Sequence, residues 1–162
     1  MKKKAKADAV DLRKLAPIMK QAKQAAVRYY KMTGKPLGIT SEVGEYEAAR
    51  LCGVVLSKAR QKGYDGIGKG RWKGKRIQVK TRRIVETKKA GQKRTPSISH
   101  KYPWDLVWLV LLNEWYEPFE RWESTRNKVR VKLDKPGSIS RNERRSLQIS
   151  QFKSIGRKIW AR

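Results

Sequence analysis

Residues 104–113, WDLVWLVLLN, hold the longest apolar run in a chain otherwise crowded with charge. The run Leu106–Leu112 is seven residues long, far short of the roughly twenty that a membrane-spanning helix needs. An apolar stretch of this length without alternation predicts a strand covered on both faces at the centre of a sheet. The other segments must then supply the cover.

Two segments have the pattern to do so. Residues 10–32 place Leu12, Leu15, Ile18, Met19, Ala22, Ala26, Tyr29 and Tyr30 at helical spacing, with Pro17 at a start or kink and Gly34 as the stop. SEVGEYEAARLC, residues 41–52, reads as a second helix capped by Thr40 or Ser41. Its Glu42, Glu45 and Glu47 lie toward the positive end of the helix dipole, and Gly53 ends it. Short strands are expected at 54–56 and 64–67, and a longer one at 76–84, where Ile77, Val79 and Thr81 alternate with Gln78, Lys80 and Arg82. Residues 86–101 read as an exposed loop, and 115–117 as a strand beside the apolar one. Residues 118–122 read as a turn or short helix, and 128–133 as an alternating strand. The chain from 138 to 162 reads as a basic helical segment. The expected fold is therefore α/β or α+β, a mixed central sheet of about five strands flanked by helices. The organisation is a basic tail (1–8) followed by one domain (9–162), with its N-terminal helix at 9–35 and its core at 40–133.

Charge narrows the function. Lys and Arg number 41 against 14 Asp and Glu, a net charge of +27. Such an excess points to a polyanionic partner, nucleic acid first, because Lys and Arg contacts release counterions from phosphate. The N-terminus lacks the apolar stretch of a secretory signal. The single Cys52 allows no internal disulfide and suits a reducing, cytoplasmic setting. Cys52 is read as a small core residue. One Cys and one histidine, His100, argue against a zinc site.

In so basic a chain, Asp65 stands out in GYDGIGKGRWKGKRIQVKTRR. It is a hard oxygen donor at a strand end, thirteen residues before Gln78. Gln78 and Lys80 are two apart on a strand and so share a face. An acid, a Gly-rich hairpin and a lysine-bearing strand are the parts that metal-assisted phosphodiester hydrolysis uses: metal ligands, a water-positioning base and neutralising charge. The spacing of Gly66, Gly68 and Gly70 before Gly74-Lys75-Arg76 does not make a nucleotide-phosphate loop.

The stretch SEVGEYEAARLCG…GYDGI…RIQVKTRR resembles the PD-(D/E)XK restriction-endonuclease-like superfamily, and its Gln-x-Lys signature resembles the Mrr-type endonucleases. The resemblance covers roughly residues 40–84. It implies a catalytic set of Glu45, Asp65, Gln78 and Lys80, with Glu42 and then Glu47 as alternatives for the helix carboxylate. It also implies Mg²⁺ (or Mn²⁺) held by Glu45, Asp65, Gln78 and the Val79 carbonyl. Gln78 stands where many members carry a carboxylate, which favours one metal over two.

A rim for nucleic acid is expected from Arg60, Gln61, Lys69, Arg71, Lys73, Lys75, Arg82 and Arg83. Trp72 at the hairpin tip is free either to stack on a base or to pack on Lys stems. Trp104, Trp108 and Trp115 are expected in the core. The function expected is a Mg²⁺-dependent endonuclease acting on duplex or branched DNA, with DNA preferred over RNA, no membrane partner and a homodimer compatible with double-strand cleavage. The rival is a non-catalytic DNA- or RNA-binding protein on the same scaffold.

Overall fold

A computed structural model describes residues 9–56, 63–86, 93–137 and 139–162. The fold is α+β, a six-stranded mixed sheet with helices on both faces. The strands are β1 (Val54–Leu56), β2 (Gly66–Gly68), β3 (Arg76–Arg83), β4 (Leu106–Leu112), β5 (Pro118–Thr125) and β6 (Arg157–Ala161). They lie in chain order, with only β3 and β4 parallel. Every residue of β4 is buried, as its unbroken apolar run requires.

Helices α1 (Leu12–Thr33) and α2 (Thr40–Cys52) cover one face, where Met19, Val43, Ala48, Ile77, Val79 and Trp108 form a core. Helices α3 (Arg126–Asp134), α4 (Ile139–Asn142) and α5 (Ile149–Ile155) follow β5. On that side Trp104, Leu109, Leu111, Val129, Leu133 and Phe152 form the second core. Asp11 caps α1 by accepting from the Arg13 N–H, and Gly34 ends it in the left-handed region. The helix continues through Pro17. Neither Thr40 nor Ser41 caps α2: Ile39 occupies that position without a side-chain bond. Among the described residues no helix is long and apolar enough to cross a membrane.

The second half departs from expectation. Residues 118–125 are a full strand, with Pro118 tolerated at its first position. Residues 128–133 lie in helix α3 rather than a strand. Thr125 caps it by accepting from the Lys128 N–H, and only Val129 and Leu133, four apart, are buried, leaving Val131 half-exposed. The C-terminal segment is not wholly helical, because 157–161 add strand β6 to the edge of β5. Residues 113–117 are a tight turn instead of a strand: the Asn113 carboxamide accepts from the N–H groups of Trp115 and Glu117, both at 2.9 Å. Trp115 is consequently 48% exposed, while Trp104 and Trp108 are fully buried. The connection before β4 is not an exposed loop where it is described. Thr95 and Ile98 are buried and donate main-chain bonds to Leu147 and Arg145.

Candidate active site

Strands β2 and β3 pair over only two positions, Gly66 with Ile77 and Ile67 with Arg76. Asp65 sits where they part. Its N–H donates to the Ile77 carbonyl at 2.8 Å, and its carboxylate accepts from the Val79 N–H at 2.6 Å. The N–H and C=O of one residue leave a strand on the same side, so the Val79 carbonyl also points toward Asp65. Burial pushes the Asp65 carboxyl above its ordinary range, against the opposing pull of the Val79 N–H and the Lys80 ammonium.

Ile77 and Val79 belong to the core under α2, which turns Gln78 and Lys80 to the other face of β3. Gln78 is buried. Its Nε2 donates to the Gly63 carbonyl at 3.2 Å, which fixes the amide orientation, and its Oε1 has no hydrogen-bond partner among the described residues. Gly63 is required here: its φ is 84°, and a Cβ would lie 1.9 Å from Cβ of Tyr102. Burial pulls the Lys80 ammonium below the ordinary lysine range, while Asp65 and Glu45 each act to keep it charged.

The structure separates the three glutamates of α2. Glu42 is exposed in the first turn. Glu47 is fully buried and ion-paired to Lys23 at 2.6 Å and to Arg50 at 2.7 Å. Glu45 is the one whose charge acts on Lys80. Its placement depends on Gly44, where a Cβ would lie 1.7 Å from Oγ1 of Thr81. Gly44 therefore lets α2 rest directly on β3. A glycine inside a helix costs up to about 1 kcal/mol, and that cost was the sequence signal for a close approach.

Asp65, Gln78, Lys80 and the Val79 backbone thus lie together where β2 and β3 part, and Glu45, carried on α2, acts on Lys80 through its charge. The set combines hard oxygen donors with one lysine whose ammonium burial disfavours; opposed shifts of this kind cluster at functional sites, and structural ion pairs show them too. Among the described residues no group of three or more His, Cys, Asp or Glu surrounds one point. A metal ion here would therefore draw on amide and main-chain oxygen as well as two carboxylates. The unpartnered Oε1 of Gln78 fits that demand.

The expected rim divides. Lys69, Arg71, Lys73 and Lys75 are exposed around the turn at Gly70–Trp72. The Lys69 N–H donates to the Gly53 carbonyl, so this tip sits at the C-terminal end of α2. It is separated from Asp65 by the length of β2, roughly 10 Å, and does not overhang the site. Trp72 is not a free tip side chain: it meets Trp108 edge-on at 4.9 Å, and Arg71 lies over it at 4.1 Å. Arg83 is held within the protein. Its guanidinium donates to the Glu114 carbonyl and stacks between Tyr30 and Tyr116. Arg82 donates to the Arg94 carbonyl at 2.7 Å. Arg60 and Gln61 lie outside the described residues.

No protein-family model matches the chain, and no curated protein matches it either. The functional reading accordingly rests on residues and geometry.

Proposed function

We propose that this protein is a divalent-metal-dependent endonuclease of the PD-(D/E)XK kind, in its Gln-x-Lys form, acting on DNA. The observation that carries the reading is that Asp65, gripped by the Val79 N–H, and Glu45 both act by charge on Lys80, beside a buried Gln78 Oε1 that has no hydrogen-bond partner among the described residues. Glu45, Asp65, Gln78 Oε1 and the Val79 carbonyl would hold Mg²⁺ or Mn²⁺, ions that prefer such oxygen donors. When bound, the ion supplies Lewis acidity toward a phosphate oxygen and lowers the pKa of a coordinated water. Lys80 orients the attacking water by hydrogen bonding, and its burial raises the share of the neutral amine, the form that can accept that water's proton. Two formal anions favour one ion over two. The exposed cations Lys69, Arg71, Lys73 and Lys75 hold the duplex by its phosphates. The work belongs in the cytoplasm, with two copies making a double-strand cut.

The test is cleavage of plasmid DNA and of tRNA in Mg²⁺, Mn²⁺, Ca²⁺ or EDTA. The wild type is expected to cut plasmid in Mg²⁺ or Mn²⁺ and to stop in EDTA. Asp65→Ala and Lys80→Ala are expected to lose cleavage and keep DNA affinity. Unchanged cleavage in both variants would remove the site assignment. Tight binding with no cleavage in any metal would leave a non-catalytic binder.

A further inference from the structure

A cleft of about 830 Å³ opens between α1, α2 and the β4–β5 turn. Residues two positions apart on an α-helix are about 200° apart around its axis, so Glu47, with Arg50, turns one flank of α2 to this cleft while Glu45 faces away from it and acts on Lys80 of the candidate active site.

The cleft is electrostatically finished on its acidic side and open on its basic side. Glu47 is held by Lys23 and Arg50, and Lys23 also reaches Glu117 at 3.2 Å. Both acids that line it are therefore already paired. Lys20 and Arg28, exposed on α1, have no acidic partner among the described residues. At the mouth stands Trp115, 48% exposed. Its main-chain N–H is pinned by Asn113, and the Lys31 ammonium lies 5.4 Å from its ring. A half-exposed indole on a tight turn, beside unpaired cations, is a stacking platform with phosphate sites next to it.

We propose that this cleft binds single-stranded nucleic acid, with an unpaired base on Trp115 and adjacent phosphates on Lys20 and Arg28. Bases within a duplex are already stacked and cannot use the indole. The cleft and the candidate active site lie on two flanks of one helix, whose diameter is roughly 10–12 Å, so a strand held by one lies within short reach of the other. The inference rests on the nuclease reading for its consequence, a preference for DNA with an unpaired segment beside the cut, but its test needs no cleavage.

The experiment is fluorescence anisotropy of a labelled single-stranded oligonucleotide and of its matched duplex, in EDTA. Trp115→Ala is expected to weaken single-strand binding about tenfold, the scale of one stacked base, and duplex binding less than twofold. Trp115→Phe is expected to restore most of the loss. The double variant Lys20→Gln/Arg28→Gln is expected to lower the slope of log affinity against log salt by about 1.4 for the single strand, two phosphate contacts at roughly 0.7 each. Equal losses on both ligands, no loss with Trp115→Ala, or equal Trp115 dependence for a poly-glutamate peptide would each overturn the proposal. Trp115-dependent binding without metal-dependent cleavage would leave the cleft standing and remove only the nuclease reading.

Discussion

Two aspartates grip the backbone of β3, and they end in opposite electrostatic states. Asp65 accepts from the Val79 N–H at 2.6 Å, and Asp105 accepts from the Arg76 N–H at 2.8 Å. Asp105 then receives the Arg76 guanidinium on both oxygens, at 3.1 and 2.9 Å. The Arg76 hydrogen bond is the largest influence on its carboxyl and holds it below the ordinary range. Asp65 is more buried, has no arginine paired to it in this way among the described residues, and is pushed above that range by desolvation. Near it are a lysine displaced the other way and an amide oxygen without a partner. The same hydrogen bond to the backbone is completed in one place and left open in the other. A fold gains nothing by burying a carboxylate without neutralising it. The proposed cation site would use this open state.

The sharpest break in this comparison is in activity. Asp65→Asn keeps the shape and an acceptor for Val79 but removes the charge. It is expected to lower plasmid cleavage roughly a thousandfold, the upper scale for losing one preorganised charge-stabilising group. Asp105→Asn is expected to leave the activity of the folded protein within a few-fold. Equal losses in the two variants would show that both acids are structural.

The next effect is in stability and tests how α2 is placed. In an ordinary exposed helix, Gly→Ala gains up to about 1 kcal/mol. At Gly44 the new methyl would meet Thr81 Oγ1 at 1.7 Å and Thr81 Cβ at 2.6 Å, and overpacking of that kind costs roughly 1–3 kcal/mol. The clash should win, so Gly44→Ala is expected to lower the urea midpoint. It should also reduce cleavage by the folded fraction, because Glu45 moves with the helix. A stabilised Gly44→Ala would mean that α2 does not need to touch β3.

How much of this was legible in the sequence depends on which physical signal dominated each segment. Leu106–Leu112 was legible because nothing but a doubly covered strand accommodates it. The shared face of Gln78 and Lys80 was legible because alternation along β3 fixes it, and the closeness of Asp65 followed from pairing its segment with that strand. Residues 128–133 were misread because KVRVKL satisfies two periods at once. Val129, Val131 and Leu133 alternate, yet Val129 and Leu133 are also one helical turn apart, and the Thr125 cap decides between the two. β5 was hidden by its charge. Arg121, fully buried, lies against Trp108 at 4.2 Å with its pKa lowered by burial to about 10, and a sequence pattern counts such an arginine as solvent-facing. The contacts of Trp72 and Arg83 within the protein were hidden for a related reason: their partners Trp108, Tyr30 and Tyr116 come from distant segments. The roles of the α2 glutamates could not be separated without the fold, because Lys23, which claims Glu47, lies 24 residues away.

The smallest predicted effect is also the most direct measure of the two electrostatic states. Asp65 has a folded pKa above its unfolded value of about 3.9. Ionising it therefore costs the folded state: the penalty is absent below that value and complete once pH has risen past the folded one. Replacing it with asparagine removes the penalty, so Asp65→Asn should gain stability over the wild type as pH rises from about 3.5 to 7. The gain should grow with pH and level off once the wild-type carboxylate is fully ionised. Asp105 has a folded pKa below its unfolded value. Its contribution is present above the unfolded value and is lost as pH falls through the folded one. Asp105→Asn should accordingly lose stability at pH 7, and the deficit should vanish in acid. Both partners of that pair are about one-third exposed or more, so solvent screening keeps the deficit to about 1 kcal/mol or less. Urea unfolding of both variants and the wild type across this range should give two difference curves of opposite sign. Because each variant removes one charge from the same +27 chain, the self-repulsion that grows in acid largely cancels between them. If both curves slope the same way, Asp65 is an ordinary turn carboxylate, and the electrostatic argument for a cation beside it fails.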